Sequence, residues 1–188
     1  MSDNLFAPPP NLPAPVDDGA CDHLIGIAVP PIGLPATTGA NVEIGTAKTP
    51  WTVVYGYPLT GVPGQPLPDN WDAIPGARGC TPQNCAFRDH YAELQALGAS
   101  VFGLSTQSTE YQQEMAERLH LPFPVLSDSN LELARALRLP TFDADGKTLL
   151  KRFSMVLRGS RIEHVIYPVF PSNSDAPAVV EWLSAQPR

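Results

Sequence analysis

Two cysteines five residues apart, Cys80 and Cys85, lie in the stretch Ile74-Pro-Gly-Ala-Arg-Gly-Cys-Thr-Pro-Gln-Asn-Cys-Ala-Phe-Arg-Asp89, where a Gly-rich loop gives way to a helical pattern. Such a pair can run thiol redox chemistry: one thiolate attacks, and the second thiol condenses with the oxidised first. Thr81 followed by Pro82 predicts an N-cap and a first helical residue, since the hydroxyl can accept an orphan amide and proline has no amide to lose there. Cys80 then falls just before the helix and Cys85 about one turn inside it. The orphan N–H groups, the positive end of the helix dipole and the charge of Arg78 all favour a negatively charged sulfur at Cys80. In an unbroken helix the two residues stand about 7.5 Å apart along the axis and about 140° apart around it, too divergent for a disulfide. The first turn must therefore loosen before the two sulfurs can join.

Further candidates follow from residue type. Arg152 interrupts the strand-like run Leu149-Leu-Lys-Arg-Phe-Ser-Met155, where a charge calls for a wet face or a partner. Arg78 and Arg88 are weaker electrostatic candidates, equally suited to a solvated surface. His90 and Asp89 follow Cys85 closely, but C-x4-C-x4-H is not a strong zinc spacing, and no metal site is expected. Cys21 beside His23 reads most simply as a free thiol near the tail, with pairing to Cys80 or Cys85 left open.

The elements that position these residues are legible from periodicity. Trp51-Thr-Val-Val-Tyr-Gly-Tyr57, β-branched and aromatic and stopped by Pro58, predicts a central buried strand. Cys85, Phe87, Tyr91, Leu94 and Leu97 form one apolar face of a helix running from Pro82 to about Leu97 and ended by Gly98. Strands are expected over Ala99–Leu104 and Phe123–Leu126, and helices over Glu110–His120 and Asn130–Leu137. Two strands, Leu149–Leu157 and Arg161–Tyr167, are joined by Arg158-Gly159-Ser160, and a last helix covers Ala176–Leu183. Ile25–Val29 and Ala40–Gly45 are weaker strand candidates. The order implies an α/β single domain with a central mixed sheet flanked by helices, because parallel strands need helical crossovers whereas the hairpin is antiparallel. Residues 1–20, with five prolines and three aspartates, read as a flexible Pro-rich arm preceding a domain over 21–188. Residues 59–76 read as a Pro/Gly-rich insertion of the kind that is often functional.

A net charge of −7 over 188 residues, with no Lys/Arg cluster, excludes nucleic acid and anionic membrane as natural partners. No stretch is long and apolar enough to span a bilayer, and the N-terminus lacks a basic n-region and an apolar h-region, so a cytoplasmic location is expected. Three cysteines cannot frame a chain of this size, and in a reducing compartment a close pair points to catalysis or metal binding.

Several blocks carry a resemblance. Tyr57-Pro58, Gly79-Cys80-Thr81, Cys85 and Phe87-Arg88-Asp89 match an active-site signature, and Gly103-Leu-Ser-Thr106, Leu126-Ser-Asp128, Arg152-Phe-Ser-Met155, Ile162-Glu-His-Val165 and Trp182-Leu183 match later blocks. On these, from about residue 24 to 184, the chain resembles the peroxiredoxins of the PrxQ, or bacterioferritin-comigratory, type. The resemblance implies a thioredoxin fold and a thiol-dependent peroxidase acting on hydrogen peroxide or alkyl hydroperoxides without a cofactor. It implies that Cys80 is the peroxidatic thiol, Cys85 the resolving thiol and Arg152 the arginine that reaches the peroxidatic sulfur. Pro58, Thr60, Gly79 and Thr81 are the candidate substrate-binding residues. A thioredoxin- or glutaredoxin-like donor would reduce the intramolecular disulfide, and the chain would be a monomer or weak homodimer. Two departures stand out. Ala77 replaces the family threonine three residues before the peroxidatic cysteine, and the Pro-to-Cys turn is lengthened by roughly twenty residues. Thr60, two residues after Pro58, could supply a hydroxyl from another direction. These departures keep two alternatives open, a general thiol–disulfide oxidoreductase and a redox-responsive binding protein with 59–76 as its contact surface.

Overall fold

A computed structural model describes residues 11–187. In chain order the elements are β1 (Gly33–Pro35), β2 (Asn41–Glu43), β3 (Trp51–Gly56), α1 (Cys80–Asp89), α2 (Tyr91–Ala96), β4 (Ala99–Ser105), α3 (Thr109–Arg118), β5 (Val125–Ser127), α4 (Glu132–Leu137), β6 (Thr141–Ala144), β7 (Lys147–Leu150), β8 (Phe153–Arg158), β9 (Arg161–Ile166) and α5 (Asp175–Ser184). The main sheet has the order β5-β4-β3-β8-β9, parallel across β5, β4 and β3 and antiparallel across β3, β8 and β9. This is the expected mixed sheet, with a helix on each parallel crossover and a tight turn in the hairpin.

β3 is paired on both sides and every one of its residues is buried. Its side chains alternate between two cores, as the two-residue period of a strand demands. Val53 and Tyr55 join Phe87, Leu94, Met115, Val179 and Leu183 under α1, α2, α3 and α5, while Val54 joins Leu24, Leu133, Leu137 and Met155 on the opposite face. At Gly56 the strand passes so close to Phe153 that a Cβ would collide with the ring.

Four sequence expectations are corrected. The helix starts at Cys80, not Pro82: its N-cap is Gly79 at φ 108°, and the Thr81 side chain caps nothing. Gly79 takes the left-handed conformation with little penalty, so the turn closes two residues early and the N–H of Gln83 reaches the Gly79 carbonyl at 3.2 Å. That helix does not run to Leu97. It breaks at His90 (φ −92°, ψ 3°) into α1 and α2, a bend the apolar period of Phe87, Tyr91 and Leu94 passes straight through. The expected strand Leu149–Leu157 is two strands in two sheets: β7 pairs with β6, β8 pairs with β3, and Lys151-Arg152 lies between them. Ile25–Val29 is not a strand; Ala28 alone makes a bridge, to Arg161, whereas Asn41–Glu43 within the other weak candidate does form β2.

The β6–β7 hairpin, absent from the sequence expectations, carries a local signal. Asp145 and Gly146 occupy its two-residue turn with φ of 51° and 68°, the backbone that Asp-Gly favours between short strands. Within 59–76, Trp71–Ala73 forms a short 3-10 turn, and Trp71 is buried with Leu59, Ala77 and Leu149 in a small separate core. The expected arm at 1–20 lies outside the described residues up to position 10. Beyond that, Asp18 accepts hydrogen bonds from Lys151 Nζ at 2.6 Å and Tyr167 OH at 2.7 Å. Cys21 is buried among Leu24, Leu34 and Phe153 as a free thiol.

Candidate active site

Cys80 is the first residue of α1, and its sulfur is buried, with 3% of the residue exposed. The loop Gly76-Ala-Arg-Gly79 delivers it there. Gly79 is the only residue type that fits, because it combines the positive φ with a contact against Ser172 where a Cβ would collide. Ser172 is itself buried, and its hydroxyl has no partner among the described residues. Cys80 Sγ lies 3.6 Å from the Ala77 carbonyl and 3.4 Å from Arg152 Nη2. The sulfur thus stands at a helix N-terminus and beside a full positive charge.

Arg152 belongs to neither strand beside it. It occupies the link where the chain leaves β7 and enters β8, and it is 3% exposed. Its Nη2 faces the carbonyls of Gly76, Ala77 and Arg78, each at 3.3 Å, as well as Cys80 Sγ. Its Nη1 donates to Gln83 Oε1. Gln83 Nε2 donates in turn to Asp175 Oδ2 at 2.6 Å, and Ser154 Oγ donates to the same oxygen at 2.7 Å. Burial pushes the Asp175 carboxyl up to about 6, opposed by the hydrogen bonds of Ser154 and Gln83 and the charge of Arg152.

Cys85 lies one turn further into α1, buried beside Phe87, Tyr55 and Leu94. Burial raises its thiol pKa, with the charge of Arg88 opposing. Cys80 and Cys85 are both free thiols. Asn84 holds the helix between them: its Nδ2 donates to the Cys80 carbonyl at 2.8 Å, and its Oδ1 accepts from Tyr55 OH at 2.7 Å. Tyr55 stacks on Phe87 with ring centroids 4.1 Å apart.

The substrate-binding candidates divide. Gly79 and Thr81 flank Cys80, and Pro58 is buried two residues after the end of β3. Thr60 is also buried, but its N–H and hydroxyl are directed to Gln107 Oε1, at 3.0 and 3.3 Å. No hydrogen bond joins Thr60 to Cys80 among the described residues. Arg78 pairs with Asp72 at 3.1 Å, and Arg88 pairs with Asp89 while donating to the Leu119 carbonyl, so both are committed elsewhere. His23 meets the Leu137 carbonyl and His90 meets Glu93; among the described residues no group of three or more His, Cys, Asp and Glu could hold a metal.

Sequence reasoning missed Gln83, Ser154, Asp175, Asn84 and Tyr55. Gln83 and Asn84 sit three and four residues after Cys80, the spacing that brings side chains over the first turn, and could have been found that way. Asp175 reads only as an acid in a first helical turn. A cavity of about 310 Å³ opens beside Arg152, walled by Pro15, Ile74, Gly76, Phe142 and Tyr167.

Residues 25–181 match the redoxin family. Among curated relatives, peroxiredoxin Q of the chloroplast of Sedum lineare is 32% identical over 142 residues, covering 76% of this chain and 67% of that protein. Peroxiredoxin bcp1 of Schizosaccharomyces pombe is 30% identical over 134 residues, covering 70% of this chain and 61% of that protein. The chain therefore spans about two thirds of the length of these relatives. Peroxidoxin BcpB of Mycobacterium tuberculosis superposes with a TM-score of 0.71 at 25% identity, covering 87% of this chain and 98% of the other. The bacterioferritin comigratory protein of Xanthomonas campestris shares the fold, with a TM-score of 0.63 at 20% identity and coverage of 93% and 98%. With its mixed sheet and a cysteine opening the first crossover helix, the chain belongs to the redoxin family as a peroxiredoxin of the Q type.

Proposed function

We propose that the chain acts as a thiol-dependent peroxidase in which Cys80 is the attacking sulfur, Cys85 the resolving thiol and Arg152 the residue that stabilises charge at the reacting atoms. The single observation that carries this is Arg152 Nη2 at 3.4 Å from Cys80 Sγ, at the N-terminus of α1. The Cys80 thiolate attacks the distal oxygen of a hydroperoxide, ROOH. The O–O bond breaks, Cys80 becomes the sulfenic acid, and the departing RO⁻ takes a proton to leave as the alcohol, or as water when R is hydrogen. Arg152 and the orphan amides of the first turn face the negative charge that passes from sulfur to oxygen. The Cys85 thiolate then attacks the Cys80 sulfur, expelling the hydroxyl as water and forming the disulfide. An external dithiol, of thioredoxin or glutaredoxin type, takes up the disulfide by exchange and returns both cysteines to thiols.

Family membership favours this reading over a general thiol–disulfide oxidoreductase or a redox-responsive binding protein. Pro58, Gly79 and Thr81 serve as the frame of the peroxide site in this reading. Thr60 keeps its hydroxyl on Gln107 and contributes indirectly, by holding the turn after Pro58. Among the described residues no helix is long and apolar enough to cross a membrane. The test is by variants. Cys80→Ser abolishes peroxide turnover, whereas Cys85→Ser permits one oxidation per chain, read by mass spectrometry as a trapped sulfenic acid, and fails to recycle with the dithiol. A Cys80→Ser protein that turns over at the parental rate overturns the assignment.

A further inference from the structure

We propose that Asp175 is a positioning residue for the Cys80 sulfur, acting through the Gln83 amide on the guanidinium of Arg152. The inference rests on the reading of Cys80 as the attacking sulfur, and it deepens that reading.

The guanidinium is held less firmly than its burial implies. Its Nε has no partner among the described residues. Its Nη2 is divided among three carbonyls and the sulfur, at 3.3 to 3.4 Å, and none of these is short. Its Nη1 has Gln83 Oε1 as its partner. The direction in which the fork points at Cys80 therefore depends on Gln83 presenting oxygen, not nitrogen, to Arg152.

An amide side chain has two faces, and a neighbour must choose between them. Asp175 fixes that choice from the end opposite Arg152. Its ionised carboxylate only accepts, so Gln83 must turn its NH2 toward Asp175, which leaves its oxygen toward Arg152. The opposite orientation would set oxygen against carboxylate and NH2 against guanidinium. Once Asp175 binds a proton, it can donate to Gln83, and the opposite orientation becomes satisfiable at that end.

Asp175 is itself well fixed. It opens α5, its Oδ1 accepts the Ala176 N–H at 3.1 Å, and its Oδ2 accepts from Ser154 on β8 as well as from Gln83 on α1. The ionisable groups that bear on it are Arg152, from the link before β8, and Tyr55, from β3, whose pKa burial raises well above the ordinary value. Burial brings the carboxyl up to about 6, so the loss of this constraint on the Gln83 amide falls in an accessible pH range.

The experiment follows the Arg152 guanidinium nitrogens by NMR in the reduced full-length chain from pH 4.5 to 8. In parallel, it measures the rate of Cys80 oxidation by hydrogen peroxide. The parent protein is expected to show one inflection near pH 6 in both. Asp175→Asn should lose it, because an amide does not titrate there, and asparagine can give oxygen to Gln83 and Ser154 only by turning its NH2 against the Ala176 N–H. Its oxidation rate should fall about tenfold through loss of alignment. Ser154→Ala, a milder change, removes a donor to the ionised form and should move the inflection to higher pH. A folded Asp175→Asn protein with the parental Arg152 signals and rate profile overturns the proposal. If that variant does not fold, an inflection left in place by Ser154→Ala overturns it. Arg152 signals that titrate with Asp175 while Cys80 stays reduced under peroxide support the positioning link and instead overturn the peroxidase reading.

Discussion

At the scale of single residues, the site depends on Arg152 serving many acceptors at once. A guanidinium can face Gln83, three carbonyls and a sulfur together; the point charge of a lysine cannot. Arg152→Ala should therefore slow Cys80 oxidation by roughly 100-fold, the scale of losing one preorganised donor at a developing charge, and Arg152→Lys should recover only part of it. Stopped-flow tryptophan fluorescence under pseudo-first-order peroxide checks both. Cys80, Cys85 and Arg152 were legible in the sequence because their types are conspicuous in their settings: thiols at a loop-to-helix junction and a charge within an apolar run. Asp175 was not, because its role arises from a contact with Gln83, 92 positions away. The hydroxyl of Thr60 was legible as a candidate, but its commitment to Gln107 was not, for the same reason of distance along the chain.

Elements decide whether the two sulfurs can meet. Both cysteines lie within α1, and Asn84, braced by Tyr55, closes the first turn onto the Cys80 carbonyl. Disulfide formation must break that closure, since helical geometry sets the two side chains on diverging faces. Amide exchange over residues 80–87 should therefore be faster in the disulfide form than in the dithiol; equal exchange in the two states would show that α1 need not open. The helices and strands themselves were mostly readable, because each carries a clear apolar period. What period could not convey is a change of partner. The run Leu149–Leu157 is mostly apolar on both sides of Lys151-Arg152, yet its first part pairs with β6 and its second with β3. Likewise, the turn at His90 leaves the apolar face intact, so two helices read as one.

Across the whole molecule, the segment around Asp18 is tied to residues next to Arg152 and beyond β9. Asp18 receives hydrogen bonds from Lys151, next to Arg152, and from Tyr167 beyond β9, and these hold its carboxyl down to about 2. A carboxylate whose folded pKa lies below its unfolded value supports the fold above about pH 4 and loses that support as pH falls toward 2. Asp18→Asn should bring the same loosening at neutral pH. The readout is Cys21, which lies three residues on, buried, with its thiol pushed up to about 12 chiefly by that burial. Labelling by a disulfide reagent at pH 8 should be slow in the parent and faster in Asp18→Asn; an unchanged rate would show that the anchor does not hold this segment.

The link Lys151-Arg152 is bounded by the Thr141–Leu150 pair on one side and the Gly56–Phe153 pair on the other. Two ladders thus clamp a two-residue span whose second member aims at the sulfur. Tolerance to added length should consequently be lopsided. Extra residues around Pro63–Pro66 would spill into solvent, whereas one added at 151 would turn the guanidinium off its target even though every element on either side still formed.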